Sequence, residues 1–112
     1  MLKPLLLILL LSTLTLQASP EIKLTVRPQV TTEQTNAFIQ IIPDEKNRRV
    51  ILEWCIYKDF CSSTQWDVAG IDGERSFRHQ IRFSEAGEWE VKARLMRSDD
   101  SQKIDTTIVI VL

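Results

Sequence analysis

From residue 21 to its last residue the chain alternates apolar and polar side chains with a period of two. A period of two sends successive side chains to opposite faces of a strand, whereas an amphipathic helix would repeat its apolar positions every three or four residues. "EIKLTVR" places Ile22, Leu24 and Val26 on one side and Lys23, Thr25 and Arg27 on the other. "RRVILEWCIYKD" sets Val50, Leu52, Trp54 and Ile56 against Ile51, Glu53, Cys55 and Tyr57. "RSFRHQIRFS" groups Phe77, His79, Ile81 and Phe83, and "GEWEVKARLMR" groups Trp89, Val91, Ala93 and Leu95. "AFIQII" adds a strand, "TQWDVAG" a weak one, and "KIDTTIVIVL" a last one whose outer face, Val109 and Val111, is apolar as well. Pro28 has no N–H for a ladder and ends the first strand. "PDEKN", "IDGE" and "SDDSQ" carry turn chemistry. About seven short strands with turn signals near every ten residues predict an all-β, antiparallel sandwich or barrel.

The start of the chain follows another rule. Lys3 precedes an apolar run over residues 5–11, Leu14 and Leu16 extend it, and Ala18, Ser19 and Pro20 follow. That order is the pattern of a secretory signal peptide, with cleavage after Ala18. The alternative is an uncleaved membrane anchor, for which the run falls short of the roughly 20 apolar residues that span a bilayer. The expectation is a signal peptide over residues 1–18 and a single domain over 19–112, periplasmic or secreted and without stable membrane insertion after cleavage. The 14 basic and 15 acidic residues are interspersed, with a net charge of -1 and no basic block. That pattern argues against nucleic acid and against an anionic membrane surface as partners.

"EWCIYKDFC" holds both cysteines, Cys55 and Cys61. A redox pair of the thioredoxin type needs Cys-x-x-Cys at a helix N-terminus, and this spacing is wider and lies in a strand. A structural zinc site needs four ligands, and His79 is the sole histidine. A cysteine nucleophile needs a base and an orienting group, and His79 falls in the apolar register of its strand. A local disulfide in an oxidising compartment fits best. The glycines are few and dispersed, so no phosphate-cradling loop is present. No catalytic residue, cofactor or metal is therefore expected. The alternative is a small secreted enzyme or metal carrier using His79 and a free thiol. Tyr57, Phe60 and Trp66 cluster in sequence around the stapled loop, which suits a protein partner of the cell envelope or extracellular space; the competing role is to cover one end of the core. Arg75, Arg78 and Arg82 spread along one strand, either as a solvated face paired with Glu residues such as Glu90 or as a ligand-binding stripe.

One segment suggests a family. "EAGEWEVKA" resembles the segment entering strand F of immunoglobulin-like domains, where an acidic residue, a small residue and Gly lead to an aromatic and then a Cys. Trp89 stands at the corner Tyr, and Val91 stands at the Cys. Trp54 in "ILEWC" is similar to the buried Trp of strand C, with Ile39 or Ile41 as its strand B partner position. The resemblance implies an immunoglobulin-like β-sandwich, or its fibronectin-III-like relative, of the small bacterial secreted kind. In it an aliphatic contact replaces the inter-sheet disulfide. Such folds host many functions; with no catalytic residue expected, the leading reading is a non-catalytic module that binds a partner or serves as a structural accessory.

Overall fold

The structure, a computed structural model, describes residues 21–68, 73 and 75–112. The expected signal segment and most of the "IDGE" turn lie outside the described residues. Among the described residues the chain forms eight strands and no helix. They are β1 (Ile22–Arg27), β2 (Val30–Thr31), β3 (Gln34–Ile41), β4 (Asn47–Ile56), β5 (Phe60–Asp67), β6 (Ser76–Arg82), β7 (Gly87–Arg97) and β8 (Gln102–Val111). One sheet has three strands in the order β1-β3-β6, and the other has five in the order β2-β8-β7-β4-β5. Every pairing is antiparallel except β2 with β8, where Val30 faces Ile110 and Thr31 faces Val111 in parallel. The chain changes sheets at Pro28, where the missing N–H stops the β1 ladder.

The alternation dictates the core. Ile22, Leu24 and Val26 of β1, Ala37, Ile39 and Ile41 of β3, and Phe77 and Ile81 of β6 are buried from one sheet. Val50, Leu52, Trp54 and Ile56 of β4 and Trp89, Val91, Ala93 and Leu95 of β7 meet them from the other. Each large apolar side chain so placed contributes roughly 1.5–3 kcal/mol relative to exposure. Polar links tie the layers at one side. The Leu24 amide donates to Asp105 Oδ2 at 2.8 Å. Glu21, just before β1, pairs with Arg97 of β7 and with Lys103 of β8. At the "PDEKN" turn the Asp44 carboxylate accepts from the Lys46 amide at 2.8 Å. Buried Asn47 donates from Nδ2 to the Ile42 carbonyl at 3.0 Å.

Three details differ from the sequence reading. The two-residue β2 is too short to show a period. The weak strand at "TQWDVAG" in fact starts at Phe60 and runs as the edge of the five-stranded sheet. Val109 and Val111 are buried, so the outer apolar residues of β8 are Ile104 and Ile108. "IVIVL" is apolar on both faces, and alternation cannot choose between them.

Candidate functional site: the stapled β4–β5 hairpin

β4 and β5 pair up to Ile56 opposite Phe60, with Cys55 directly opposite Cys61. Only Tyr57, Lys58 and Asp59 remain to turn the chain. The two cysteines are disulfide-bonded, so the staple joins facing strand residues rather than the ends of a longer loop. Tyr57 and Lys58 both adopt left-handed backbone angles, with φ of 57° and 69°. Tight hairpins normally give such positions to Gly, Asn or Asp, because a Cβ in this region is crowded. Each such residue costs on the order of 1 kcal/mol and persists only where its surroundings enforce it. Here the disulfide locks the flanking pair, and the Asp59 amide donates to the Tyr57 carbonyl at 2.7 Å.

The turn projects two aromatic rings into solvent. Tyr57 is 64% and Phe60 66% exposed, and their rings meet edge-on with centroids 6.2 Å apart. Tyr57 Oη donates to Glu85 Oε2 at 3.1 Å. That hydrogen bond, then the carboxylate's charge, raises the phenol above its usual pKa. Glu85 is itself placed by its neighbours: Trp89 Nε1 donates to the Glu85 carbonyl at 3.0 Å. Gly87 has a φ of 141°, and a Cβ there would lie 2.7 Å from Ile56 Cδ1, so the turn into β7 packs closely on the end of β4. Register aligns Cys61, Cys55, Glu90 and Ile108 in one row across the outer face. A shallow groove of about 420 Å³ runs over that row, lined also by Tyr57, Lys58 and Glu88.

The structure thus brings Tyr57, Phe60, Cys55 and Cys61 together, and it separates Trp66 from them. Trp66 is six residues from Phe60, about 20 Å at strand rise. It is half-buried, with its ring 5.2 Å from Phe77 and 6.4 Å from His79. His79 sits between Trp54 and Trp66 on the inner side, whereas Cys55 alternates with Trp54 and faces outward. His79 and a cysteine sulfur therefore lie on opposite sides of the sheet. Glu53, Cys55 and Cys61 have ligand atoms within 4.8 Å of one another. Both sulfurs are bonded to each other, though, and Glu53 pairs with Arg94 at 3.5 Å, so these residues do not fit a metal centre. Sequence reasoning passed over Glu85, Glu88 and Ile108, which only strand order carries to the hairpin. The expected pairing of the Arg stripe with Glu90 does not form. Glu90 lies in the other sheet and is near Lys92 at 3.8 Å.

No protein-family model matches the chain. No curated protein matches it in sequence. Among solved structures it is similar to the superoxide reductase (neelaredoxin) from Ignicoccus hospitalis, at 9% identity over 88% of this chain and 86% of that one, with a TM-score of 0.64. It is also similar to a family 76 glycoside hydrolase from a bovine Bacteroides thetaiotaomicron strain, at 10% identity over 80% of this chain and a TM-score of 0.56. A polysaccharide deacetylase from Bacillus cereus matches at 14% identity over 82% of this chain, with a TM-score of 0.51. The match spans 20% of the hydrolase chain and 30% of the deacetylase chain. These likenesses show a fold and no more. Two expectations are corrected by them. The immunoglobulin-like assignment gives way to the superoxide reductase fold, matched over most of both chains. "EAGEWEVKA" misled because it encodes a local device, an indole locking the turn four residues behind it, which does not depend on family. The expectation of a chain without catalysis is corrected in one respect: a neighbour of this fold is an enzyme, so the fold gives no ground for excluding catalysis, and it assigns no activity to this chain.

Proposed function

We propose that this domain works in an exported compartment, periplasmic or extracellular, and binds a protein partner through Tyr57 and Phe60 of the β4–β5 hairpin. The observation that carries this reading is the pair of left-handed residues, Tyr57 and Lys58, held by a cross-strand disulfide. Strain of that kind clusters where a chain must present particular side chains. Ordering the loop in advance lowers the entropy lost on association. Exposed aromatic rings on a fixed turn are the usual anchors of such contacts. The experiment is capture of a partner by the purified chain, followed by calorimetric titration. Tyr57→Ala and Phe60→Ala are expected to weaken binding with little change in melting temperature. Unchanged affinity in both variants would defeat the proposal.

A second reading is favoured by one observation, that a similar structure is a redox enzyme while Cys61 is exposed. On that reading two thiols of a reductant pass two electrons and two protons to the Cys55–Cys61 disulfide and become a disulfide themselves, and the resulting dithiol passes them on to the disulfide of a second protein. Equilibration with glutathione separates the two. A midpoint below about -300 mV marks a structural bridge, and one above about -230 mV marks a cycling pair.

A further inference from the structure

Strands β1, β3 and β6 contain Lys23, Arg27, Arg78 and Arg82, and no Asp or Glu. All four cations alternate with buried residues and so face outward. Register arranges this outer face in rows: Lys23, Gln40 and Ser76; Thr25, Phe38 and Arg78; Arg27, Asn36 and Gln80. Phe38 stands at the centre, and the Arg27 guanidinium lies 5.6 Å from its ring centroid. A groove of about 430 Å³ crosses the face, lined by Lys23, Arg27, Phe38, Gln40 and Arg78. Among the described residues, the ion pair made by these four cations is Arg82 with Glu33, at 3.8 Å and largely exposed. The five-stranded sheet behaves otherwise. On its outer face acids and bases are mixed and several pair, Glu53 with Arg94, Glu90 with Lys92 and Arg49 with Asp67.

We infer that the outer face of the three-stranded sheet binds an acidic polysaccharide, a glycan bearing carboxylates or sulfates. This site is independent of the hairpin. Arginine forks match carboxylate and sulfate oxygens two bonds at a time. Gln40, Asn36, Gln80 and Ser76 are uncharged and suit hydroxyl groups, which both donate and accept. The Phe38 ring offers an apolar surface to the C–H face of a sugar. Lys23 and Arg27 are about 13 Å apart along β1, as are Arg78 and Arg82 along β6, and the two strands are separated by about 10 Å. No single small anion bridges such distances, but a chain of anions does. A lipid surface fits less well, since none of the exposed large apolar residues belongs to β1, β3 or β6.

The test is calorimetry of the purified chain with polygalacturonate, with heparin as the sulfated arm and dextran as the neutral control. Binding to at least one of the two acidic glycans is expected, weakening as salt rises, with none to dextran; which one binds distinguishes carboxylate from sulfate. The double variant Arg27→Gln/Arg78→Gln should weaken binding about tenfold or more. Lys92→Gln/Arg94→Gln, on the other sheet's outer face, should stay within about twofold. Matched thermal melts of both variants separate binding from folding. Absence of binding to both acidic glycans, equal loss in the two double variants, or binding confined to phosphatidylglycerol vesicles or to DNA would overturn the inference.

Discussion

At the β4–β5 hairpin the backbone holds two residues where they resist being, Tyr57 at φ 57° and Lys58 at φ 69°, under a covalent clamp. Across the core, on the outer face of β1, β3 and β6, none of the described residues has a positive φ; outside glycine such residues are Tyr57, Lys58 and Asp100. What is unusual there is electrostatic: cations with no acid in any of the three strands. The first region stores its specificity in conformation and the second in charge. One should respond to loss of the disulfide and ignore salt, and the other should do the reverse.

The largest effect should strike both regions, because they share one core. Trp54 is 9% exposed, lies beside Cys55 on β4 and reaches His79 of β6 across the sheets. Trp54→Ala is expected to lose about 3–5 kcal/mol in denaturant titration. A variant that loses less than 1 kcal/mol would mean that the two regions do not depend on a common layer.

Next comes the clamp. Cys55→Ser/Cys61→Ser should lose about 2 kcal/mol for so short a loop. Polygalacturonate binding by its folded fraction should not change. Loss of that binding as well would show that the hairpin and the cationic face are coupled.

Gly87→Ala tests the support beneath the hairpin. The added Cβ meets Ile56 Cδ1, and the φ of 141° is poor for any L side chain. A loss of about 1–2 kcal/mol is expected, read from the shift in denaturation midpoint. A neutral outcome would show that the turn into β7 can move without disturbing the end of β4.

The smallest effect is a titration. Tyr57 is the sole tyrosine, so the phenolate absorbance of the chain reports it alone. Its pKa is raised by Glu85, so the phenol should ionise above the ordinary value near 10, and Glu85→Gln should bring it back down. Because the folded-state pKa lies above the unfolded one, the contact of the Tyr57 phenol with the Glu85 carboxylate supports the hairpin in full just below the ordinary phenol pKa. That support is lost only as pH rises through the raised pKa. An identical titration in Glu85→Gln would remove Glu85 from the site.

Strands with one buried face were legible in the sequence, since Ile22–Leu24–Val26 or Trp89–Val91–Ala93–Leu95 leaves one register that hides the apolar set. β8 was not. Its end is apolar on both faces, and its parity is set by Val109 and by Asp105 accepting from Leu24, a contact 81 residues away in sequence. β5 showed only as a weak strand from Thr64, and its start at Phe60 escaped because its residues are mostly exposed and its turn lacks the expected Gly or Asn. The disulfide was legible from compartment chemistry, but its place as a cross-strand pair depended on that missed turn. The cationic face was legible by half: Arg78 and Arg82 stood out as a possible stripe along one strand, whereas Lys23 and Arg27 did not join them. Acids and bases are interspersed along the chain, and only the strand order β1-β3-β6 sorts them.

Partner recognition by the hairpin is tested most directly by photo-crosslinking. A photoreactive residue is placed at position 60 of the full chain in the cells that produce it, and in parallel at position 65, also exposed on β5 but away from the turn. Recognition through the hairpin predicts a discrete adduct with another polypeptide from position 60. That adduct should be absent from position 65 and lost in Cys55→Ser/Cys61→Ser. Equal adducts from both positions, or none from position 60, would contradict it.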